Sequence, residues 1–243
     1  MTRPAVKPAP SSKKKTAKKP LSPRAAQFIA IGVALAFVVA IALIVVASLG
    51  GGTQTDALPE VTPDGQAEVQ RSDSHFIHGS ADAEVTIVEF LDFECPACAV
   101  AAGSVGSIID TYGDRVAVVI RNFPLTSIHP HAVDSALAFE AAAAQGAAAD
   151  MYRALFATQE QWSSGRGSQA EFFRDLAEQL DLDLAEYDRV IADPATLDRV
   201  SRDNADALGL GLQGTPSFFI NGEPAPISSL DELAALVEQQ LGD

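Results

Sequence analysis

The sequence predicts an α/β domain with a helical insertion, preceded by one transmembrane helix. Three observations support this fold class. Two apolar, β-branched segments flank a helical segment, the pattern of a βαβ unit with parallel strands. Five further helical segments separate this unit from an Asn-Gly turn between apolar runs, which is a strong hairpin signal. A 22-residue run without charge near the N-terminus is long enough to cross a bilayer.

The N-terminal tail, residues 1–24, is rich in Lys, Pro, Ser and Ala and has no apolar periodicity, which predicts disorder. Positions 1–49 hold eight basic residues, all within this tail, and no acid. A basic tail could contact nucleic acid or anionic lipid headgroups. We favour the simpler interpretation, a topology signal that stays in the cytoplasm.

Residues 25–49 are predicted to form a transmembrane helix in the lipid bilayer. They include the uncharged run from Phe28 to Leu49, and about 20 such residues cross a hydrocarbon core of about 30 Å. A cleaved signal peptide is the alternative, although its apolar core usually has only about 7–15 residues. The small residues Ala47 and Ser48 leave cleavage open. Because the positive flank is N-terminal, we expect a single-pass protein of the cell membrane with an extracytoplasmic domain.

The chain after residue 49 is strongly acidic. It has nine Arg, no Lys and all 32 acids, a balance of −23. Such a domain repels nucleic acid, so no nucleic-acid partner is expected. Residues 50–74 combine three consecutive glycines with two prolines and many polar residues, which predicts a flexible linker.

The βαβ unit opens the domain predicted at residues 75–243. Residues 75–82 lead into the first strand, Val85 to Phe90, whose nearly continuous β-branched character is typical of a doubly buried strand. A helix is predicted from Pro96 to Tyr112. A second buried strand is predicted from Val116 to Ile120.

A helical insertion is predicted at about 129–209. Gly146 and Pro194 interrupt its helical pattern. The predicted helices are Ala132 to Ala144, Met151 to Gln161, Gln169 to Leu180, Leu184 to Ala192 and Ala195 to Leu208.

The C-terminal part is predicted to be a hairpin and a helix. Asn221-Gly222 separates strands expected at Ser217 to Ile220 and Glu223 to Ile227. Ser229 to Glu232 has the pattern of a capping box and would open a helix from Leu230 to Leu241. The order strand, helix, strand, helical block, hairpin, helix is that of a thioredoxin-like fold with a helical insertion.

The only two cysteines, Cys95 and Cys98, lie where the first strand passes into a helix. With Cys95 at the N-cap and Pro96 at the first helical position, the Cys95 sulfur faces unpaired N–H groups and the positive end of the helix dipole. Both favour a thiolate, whereas Cys98 lies one turn further in. Thiol–disulfide exchange needs an attacking thiolate and a second thiol. Cys95 is therefore predicted to attack and Cys98 to resolve, while Ala97 adds neither donor nor charge.

Three other interpretations of the cysteine pair remain. A structural disulfide with this spacing would close a very small loop and restrain little of the unfolded chain. A zinc or copper site would need further ligands such as His129 and His131, which we interpret instead as surface or capping residues. An inert buried pair is the third. We favour a redox pair and expect no metal and no cofactor.

The chain resembles the DsbA-like thiol–disulfide oxidoreductases of bacterial envelopes, within the thioredoxin superfamily, in their membrane-anchored form. The likeness covers about residues 76–241. CxxC alone is a moderate signal, but CxxC with Thr-Pro-x-Phe and a helical insertion between them is a strong one. The segments that carry it are the strand Val85 to Phe90 with Phe93 to Cys98, Asn122 to Leu125, the helical stretch with Gln145-Gly146 and Leu155-Phe156, Gly214 to Pro216, and Phe218 to Gly222.

The resemblance implies further site residues. Pro216 would be a cis-proline beside the cysteines, and the backbone of Thr215 would pair with an extended substrate strand. Glu89 would be a buried acid that relays the proton of Cys98; the alternative is an outward-facing acid on the strand.

Two observations qualify the resemblance. The acids next to the motif, Asp92 and Glu94, are expected to be solvated. The best-known family members often carry a histidine before the second cysteine, where this chain has Ala97. The motif therefore does not by itself predict a strong oxidant.

The resemblance implies a protein thiol–disulfide oxidoreductase that forms disulfides in exported proteins. A substrate thiol would attack the Cys95–Cys98 disulfide to give a mixed disulfide through Cys95, and Cys98 would release the oxidised substrate. A membrane thiol oxidase would recharge the pair. The alternatives are a disulfide reductase or isomerase with the same site, and a non-catalytic, tethered binding module.

Overall fold

The structure is a computed structural model that describes Leu58 and residues 67–242. The tail predicted at residues 1–24, the transmembrane helix predicted at residues 25–49 and, apart from Leu58, the first part of the predicted linker lie outside the described residues. Within the described part, no helix combines the length and apolar character needed to span a membrane.

Five strands form one sheet among the described residues: β1 (His75–His78), β2 (Val85–Leu91), β3 (Val116–Asn122), β4 (Ser217–Ile220) and β5 (Glu223–Ala225). Their order across the sheet is β1-β3-β2-β4-β5. β2 and β3 are parallel, as the predicted βαβ unit requires, and the other neighbouring pairs are antiparallel. Both central strands are covered on their two faces, which explains their almost continuous apolar sequence.

Eight α-helices are present in the described part of the chain: α1 (Pro96–Tyr112), α2 (Ala132–Ala143), α3 (Ala148–Ala157), α4 (Gln159–Trp162), α5 (Ala170–Gln179), α6 (Leu184–Ala192), α7 (Pro194–Gly209) and α8 (Leu230–Leu241). α1 connects β2 to β3, and α8 packs beside α1. Helices α2 to α7 form the predicted insertion. The fold is therefore the predicted thioredoxin-like α/β fold with a helical insertion.

The sheet separates two apolar layers. The larger layer contains Ile87, Val118 and Ile120 and is covered by α1, α8 and the helical insertion. The smaller layer contains Phe90 and Phe219 and is closed by α7 together with the segment that precedes β1. Because side chains alternate along a strand, Glu89 lies on the same side of β2 as Ile87 and Leu91, which belong to the larger layer.

Strand β1 was not predicted. The sequence analysis treated residues 75–82 as a lead-in to the first strand, but His75–His78 form a strand of their own. β1 pairs antiparallel with β3, with His75 opposite Ile120 and Phe76 opposite Val119. The strand has only four residues, and two of them are histidines. Its place at the edge of the sheet depends on pairing with β3, which no local pattern shows.

Residues 67–74 were expected to belong to the flexible linker, but they pack on the domain. Arg71 donates from Nε and Nη2 to the carboxylate of Asp206, at 2.6 and 2.8 Å. Arg121 donates from Nη1 to the carbonyl oxygens of Glu68 and Val69, each at 2.9 Å. These long-range bonds attach the segment to α7 and β3, so the folded domain begins before the predicted boundary at residue 75.

Local turn chemistry explains the remaining boundaries. Asn221 and Gly222 adopt positive φ angles of 50° and 82° and join β4 to β5 as the predicted hairpin. The helix predicted from Met151 to Gln161 is divided at Thr158, whose hydroxyl donates to the carbonyl of Ala154 at 2.7 Å.

The predicted capping box takes a different form. Ser229 is the N-cap of α8, but its side chain makes no capping hydrogen bond. The carboxylate of Glu232 instead accepts from the backbone N–H and the hydroxyl of Ser228, at 2.7 and 2.8 Å. The helix still begins at the predicted residue.

Candidate active site

The cysteine pair lies where β2 passes into α1. Cys95 is the N-cap of α1 in an extended conformation, and Pro96 occupies the first turn. The carbonyl of Cys95 accepts from the N–H groups of Cys98 and Ala99, at 3.1 and 3.2 Å. Both cysteines are free thiols, 7% exposed for Cys95 and 0% for Cys98, whereas Pro96 is on the surface. The geometry is the one predicted from the spacing.

Cys95 is placed to be a thiolate. Its pKa is lowered from 9.0 to about 5, chiefly by a hydrogen bond with Cys98 and also by a contact with Thr215 and the N–H groups of Cys98 and Ala97. Burial acts in the opposite direction. Both N–H groups belong to the first turn of α1, so the helix geometry contributes directly to the acidity of this thiol.

Cys98 has the opposite character. Burial raises its pKa most, and the pairing with Cys95 and the charge of Glu89 raise it further. Cys95 is therefore the more exposed and more acidic thiol and Cys98 the fully enclosed, protonated one, the asymmetry that thiol–disulfide exchange requires.

Thr215 and Pro216 lie beside Cys95, although they are about 120 residues away in sequence. The Thr215–Pro216 peptide bond is cis, in agreement with the expectation. The Cys95 thiol lies 3.5 Å from the carbonyl oxygen of Thr215 and donates to it. Pro216 also borders a cavity of about 280 Å³ whose lining includes Leu212 and Phe218. The cavity lies on the Pro216 side of the site, and its lining does not include Cys95.

Glu89 is buried in β2 and does not face outward. Burial raises its pKa from 4.5 to about 8, and the charge of Cys95 adds to this. The hydroxyl of Tyr152 donates to Oε2 of Glu89 at 3.4 Å, while Oε1 is buried with no hydrogen-bond partner. A carboxyl group with this pKa can gain or lose a proton near neutral pH, beside Cys98.

The expectation that Asp92 and Glu94 are solvated is wrong. Asp92 is 2% exposed and Glu94 is 4% exposed. Asp92 accepts from the N–H of Glu94, the N–H of Leu125 and Nδ1 of His129, each at 2.8 Å. The carboxylate thus fixes the motif to the loop after β3, and its burial is compensated by three donors.

Glu94 has a similar structural role. Its Oε2 accepts from the backbone N–H of His131 at 2.6 Å, and burial raises its pKa. His131 is itself buried, and its Nε2 lies 3.0 Å from the carbonyl oxygen of Gly165. The two histidines near the motif therefore bind protein groups. In the part of the chain that the structure describes, no cluster of three or more His, Cys, Asp or Glu side chains is arranged to hold a metal.

Two residues of the helical insertion reach the motif and were not predicted. Tyr152 contacts Glu89, as described above. The Gln159 side chain, in α4, donates from Nε2 to the carbonyl oxygens of Phe93 at 2.7 Å and Cys95 at 3.0 Å. The ring of Phe93 packs against those of Tyr152 and Phe156. Tyr152 and Gln159 both act over more than 50 positions, so no local pattern identifies them.

A family model described as Thioredoxin (Thioredoxin_4) matches residues 71–239. The chain belongs to the thioredoxin family. A CxxC pair with an acidic first thiol at a helix start is the arrangement that thiol–disulfide exchange requires.

Solved structures share the fold. A thioredoxin-like oxidoreductase from Silicibacter pomeroyi DSS-3 has 24% identity and a TM-score of 0.59, covering 75% of this chain and 99% of that chain. BdbD from Bacillus subtilis has 22% identity and a TM-score of 0.59, covering 68% and 92%. MdbA, a thiol-disulfide oxidoreductase from Corynebacterium diphtheriae, has 20% identity and a TM-score of 0.54, covering 67% and 85%.

Curated relatives of this thioredoxin-family chain are much longer proteins. Na(+)/H(+) antiporter NhaA 1 of Mycobacterium sp. (strain KMS) is 38% identical over 151 residues, which are 60% of this chain and 23% of the relative. Na(+)/H(+) antiporter NhaA 3 of Salinispora tropica is 40% identical over 151 residues, 62% of this chain and 22% of the relative. The chain thus matches less than a quarter of the length of these relatives.

Proposed function

We propose that this chain is a DsbA-like, membrane-tethered oxidoreductase that forms disulfides in exported proteins outside the cytoplasm. The observation that carries the proposal is the asymmetry of the two thiols. Cys95 has a pKa of about 5, and the pKa of Cys98 is raised by burial. A stabilised thiolate favours the reduced enzyme, which makes the oxidised pair an oxidant toward substrate thiols.

The oxidative half-reaction has two displacements. A substrate thiolate attacks Sγ of Cys95, the Cys95–Cys98 bond breaks, and its electron pair goes to Sγ of Cys98, which takes up a proton. The second thiolate of the substrate then attacks the substrate sulfur of the mixed disulfide. This releases the oxidised substrate and leaves Cys95 as a thiolate.

This balance corrects the expectation that Cys98 releases the oxidised substrate. Attack by Cys98 on the mixed disulfide would re-form the Cys95–Cys98 bond and return the substrate thiol unchanged. In the oxidative direction Cys98 is the leaving group, and its proton is supplied by a neighbouring acid. Glu89, with a pKa of about 8, is the acid that we assign to this proton.

The strength of the oxidant follows from the thiol pKa. Thioredoxin has a nucleophile pKa of about 7 and a potential of about −270 mV, whereas DsbA has about 3.5 and about −120 mV. A pKa of about 5 lies between these reference values. Ala97 provides no charge, so the low pKa comes from Cys98, Thr215 and the helix N–H groups.

The surroundings of Cys95 support an extended polypeptide as substrate. The cavity of about 280 Å³ beside Pro216 is lined mostly by apolar side chains and can take a substrate side chain. Two large apolar residues near the motif are highly exposed, Val100 at 66% in α1 and Ile128 at 67% in the loop that Asp92 anchors. Thr215 would offer its backbone to the substrate strand.

Two parts of the proposal concern the surroundings of the domain, namely the tether and the recharging partner. Residues 25–49, with their uncharged run from Phe28 to Leu49, would anchor the domain in the membrane. A membrane thiol oxidase would accept two electrons from the reduced pair. Protease added to intact spheroplasts should digest the domain, and protection of the domain would contradict the proposed orientation.

The redox potential of the full chain tests the direction of the reaction. We expect a value between about −270 and −120 mV in a glutathione titration. A value at or below about −270 mV would favour the alternative, a reductase or isomerase. Cys98→Ser cannot form the Cys95–Cys98 disulfide, but in cells its Cys95 thiolate should attack disulfides of substrate proteins, which breaks the substrate S–S bond and forms a mixed disulfide that Cys98 is no longer there to displace. The double variant with Cys95→Ser is the matched control. A lack of trapped proteins would support a non-catalytic binding module instead.

A further inference from the structure

Tyr152 is the insertion residue that reaches the buried acid. It lies in α3, is 5% exposed, and places its hydroxyl 3.4 Å from Oε2 of Glu89. Its ring is fixed by edge-on contacts with Phe93 and Phe156, with centroids 6.2 and 5.0 Å away. The hydroxyl therefore has a defined position relative to the carboxyl group.

The hydroxyl of Tyr152 remains a donor at all relevant pH values. Burial raises its pKa most, and the charges of Glu89 and Cys98 raise it further. The charges of Glu89 and Cys98 thus act on the same hydroxyl, which contacts Glu89 directly.

The two oxygens of Glu89 differ in their surroundings. Oε2 accepts from Tyr152, whereas Oε1 is buried and has no partner. A buried, unpartnered carboxyl oxygen costs free energy, so such an atom in a native fold needs a reason. Proton exchange with the enclosed thiol of Cys98 provides one.

We propose that Tyr152 is a positioning residue for proton transfer: it holds Oε2 of Glu89 so that Oε1 exchanges a proton with Cys98. The inference rests on the proposed role of Glu89. When the disulfide is attacked, the electron pair of the broken bond goes to Sγ of Cys98, and the proton passes from Oε1 to that sulfur. Glu89 is left as a carboxylate that accepts from Tyr152, and a proton from water restores it.

The reverse transfer can be measured in isolation. Oxidised glutathione converts the reduced full chain into a mixed disulfide at Cys95. Cys98 then gives its proton to Glu89 and attacks Sγ of Cys95, which forms the intramolecular disulfide and releases glutathione as a thiol. Since the carboxylate is the base, the release rate should rise with pH around the Glu89 pKa, which is about 8 in the reduced protein.

The titratable groups that act on Glu89 are Tyr152 from α3 and the two cysteines from the start of α1. Tyr152→Phe removes the hydrogen bond that lowers the Glu89 pKa. The midpoint of the pH profile should therefore move upward by about half a unit or more, and release at pH 7 should slow about three- to tenfold. Carbon NMR of the Glu89 carboxyl should show the same upward shift.

Matched variants make the test specific. Tyr187→Phe changes another buried tyrosine, which lies in α6 and interacts with Asp188 and Asp134 rather than with Glu89, and it should leave the midpoint unchanged. Urea unfolding of each variant separates stability from chemistry, because a merely structural role for the hydroxyl would not move the midpoint.

The outcomes distinguish the two proposals. If Glu89→Gln leaves the release rate and its pH profile unchanged, the relay itself is wrong. If Glu89→Gln removes the pH dependence but Tyr152→Phe keeps the wild-type midpoint, the relay holds and the role of Tyr152 is overturned. A shift in Tyr152→Phe that Tyr187→Phe does not share supports the positioning role.

Discussion

Glu89 and Asp206 are both fully buried carboxylates, but they lie in different layers of the fold and have opposite surroundings. Glu89 contacts no cation among the described residues, and burial raises its pKa to about 8. Burial acts on Asp206 in the same direction, but Arg71 and Arg121 outweigh it and hold its pKa below the usual range. The difference separates a carboxylate that holds the fold together from one that can exchange protons.

Asp206 is not the only buried carboxylate among the described residues that is paired with a cation. Glu140 accepts from His75 and Arg199, and together they lower its pKa against the effect of burial. Asp203 is an exception, because burial outweighs the nearby Arg121 and raises its pKa. Arg121, which is 0% exposed, connects most of this network through its bonds to Asp203 and Asp206.

The largest expected effect on stability comes from removing Arg121, the cation that bonds to both Asp203 and Asp206. Arg121→Leu would leave Asp203 and Asp206 buried without this donor and would free the carbonyls of Glu68 and Val69. We expect the free energy of unfolding to fall by about 3–5 kcal/mol, measured by urea denaturation.

An exposed arginine serves as the control for this prediction. Arg153→Leu removes an ion pair with Asp150 on the surface and should change the unfolding free energy by less than about 1 kcal/mol. If the two variants lose similar stability, the buried network does not hold the domain together.

The second prediction concerns Glu89 and the dependence of stability on pH. Its folded-state pKa of about 8 is above the ordinary glutamate value of 4.5, so the folded state binds the proton more tightly than the unfolded state. The stability that Glu89 contributes should therefore be lost as pH rises from about 4.5 to about 8, whereas the lowered pKa of Cys95 acts in the opposite direction, so the Glu89 effect is measured as the difference between wild type and Glu89→Gln. Glu89→Gln removes this loss. The free energy of unfolding of the variant, relative to that of wild type, should therefore rise by about 2–3 kcal/mol between pH 5 and pH 7.

The paired carboxylates predict the opposite sign at lower pH. The pKa values of Glu140 and Asp206 are lowered in the fold, so their contribution is present above the unfolded-state values. It is lost as pH falls through the folded-state values. Denaturation of reduced wild type and Glu89→Gln across pH measures both effects, and parallel curves above pH 5 would show that Glu89 is not a buried, unpaired acid.

The sequence predicted those parts of the site that depend on local signals. The passage from a β-branched strand into a helix at Cys95, and the Asn221-Gly222 turn, are determined by residues adjacent in the chain. The burial and raised pKa of Glu89 could be expected only through the family resemblance, because an acid in a central strand has no local feature that indicates its side of the sheet.

Other parts depend on contacts between distant residues and could not be predicted. Asp92 and Glu94 were expected to be solvated, but they are buried and accept from Leu125 and His131, which follow β3 and lie more than 30 positions away. Gln159 and Tyr152 reach the motif only because the insertion folds back over it. The segment at residues 67–74 looks like a linker by composition and is ordered by Arg71 and Arg121.

The smallest expected effect tests whether the surface near the cysteine motif also differs from the surface near Asp206. Ile128, near the cysteine motif, and Leu208, in α7 near Asp206, are large apolar residues with similar exposure, 67% and 59%. If Ile128 contacts substrate chains, Ile128→Ser should slow the oxidation of a reduced, unfolded protein about three- to tenfold, because partial burial of such a side chain contributes roughly 1 kcal/mol. Oxidation of glutathione, which is too small to cover the loop, should be unaffected. Leu208→Ser should change neither rate. If both substitutions slow protein oxidation equally, Ile128 has no special part in substrate binding.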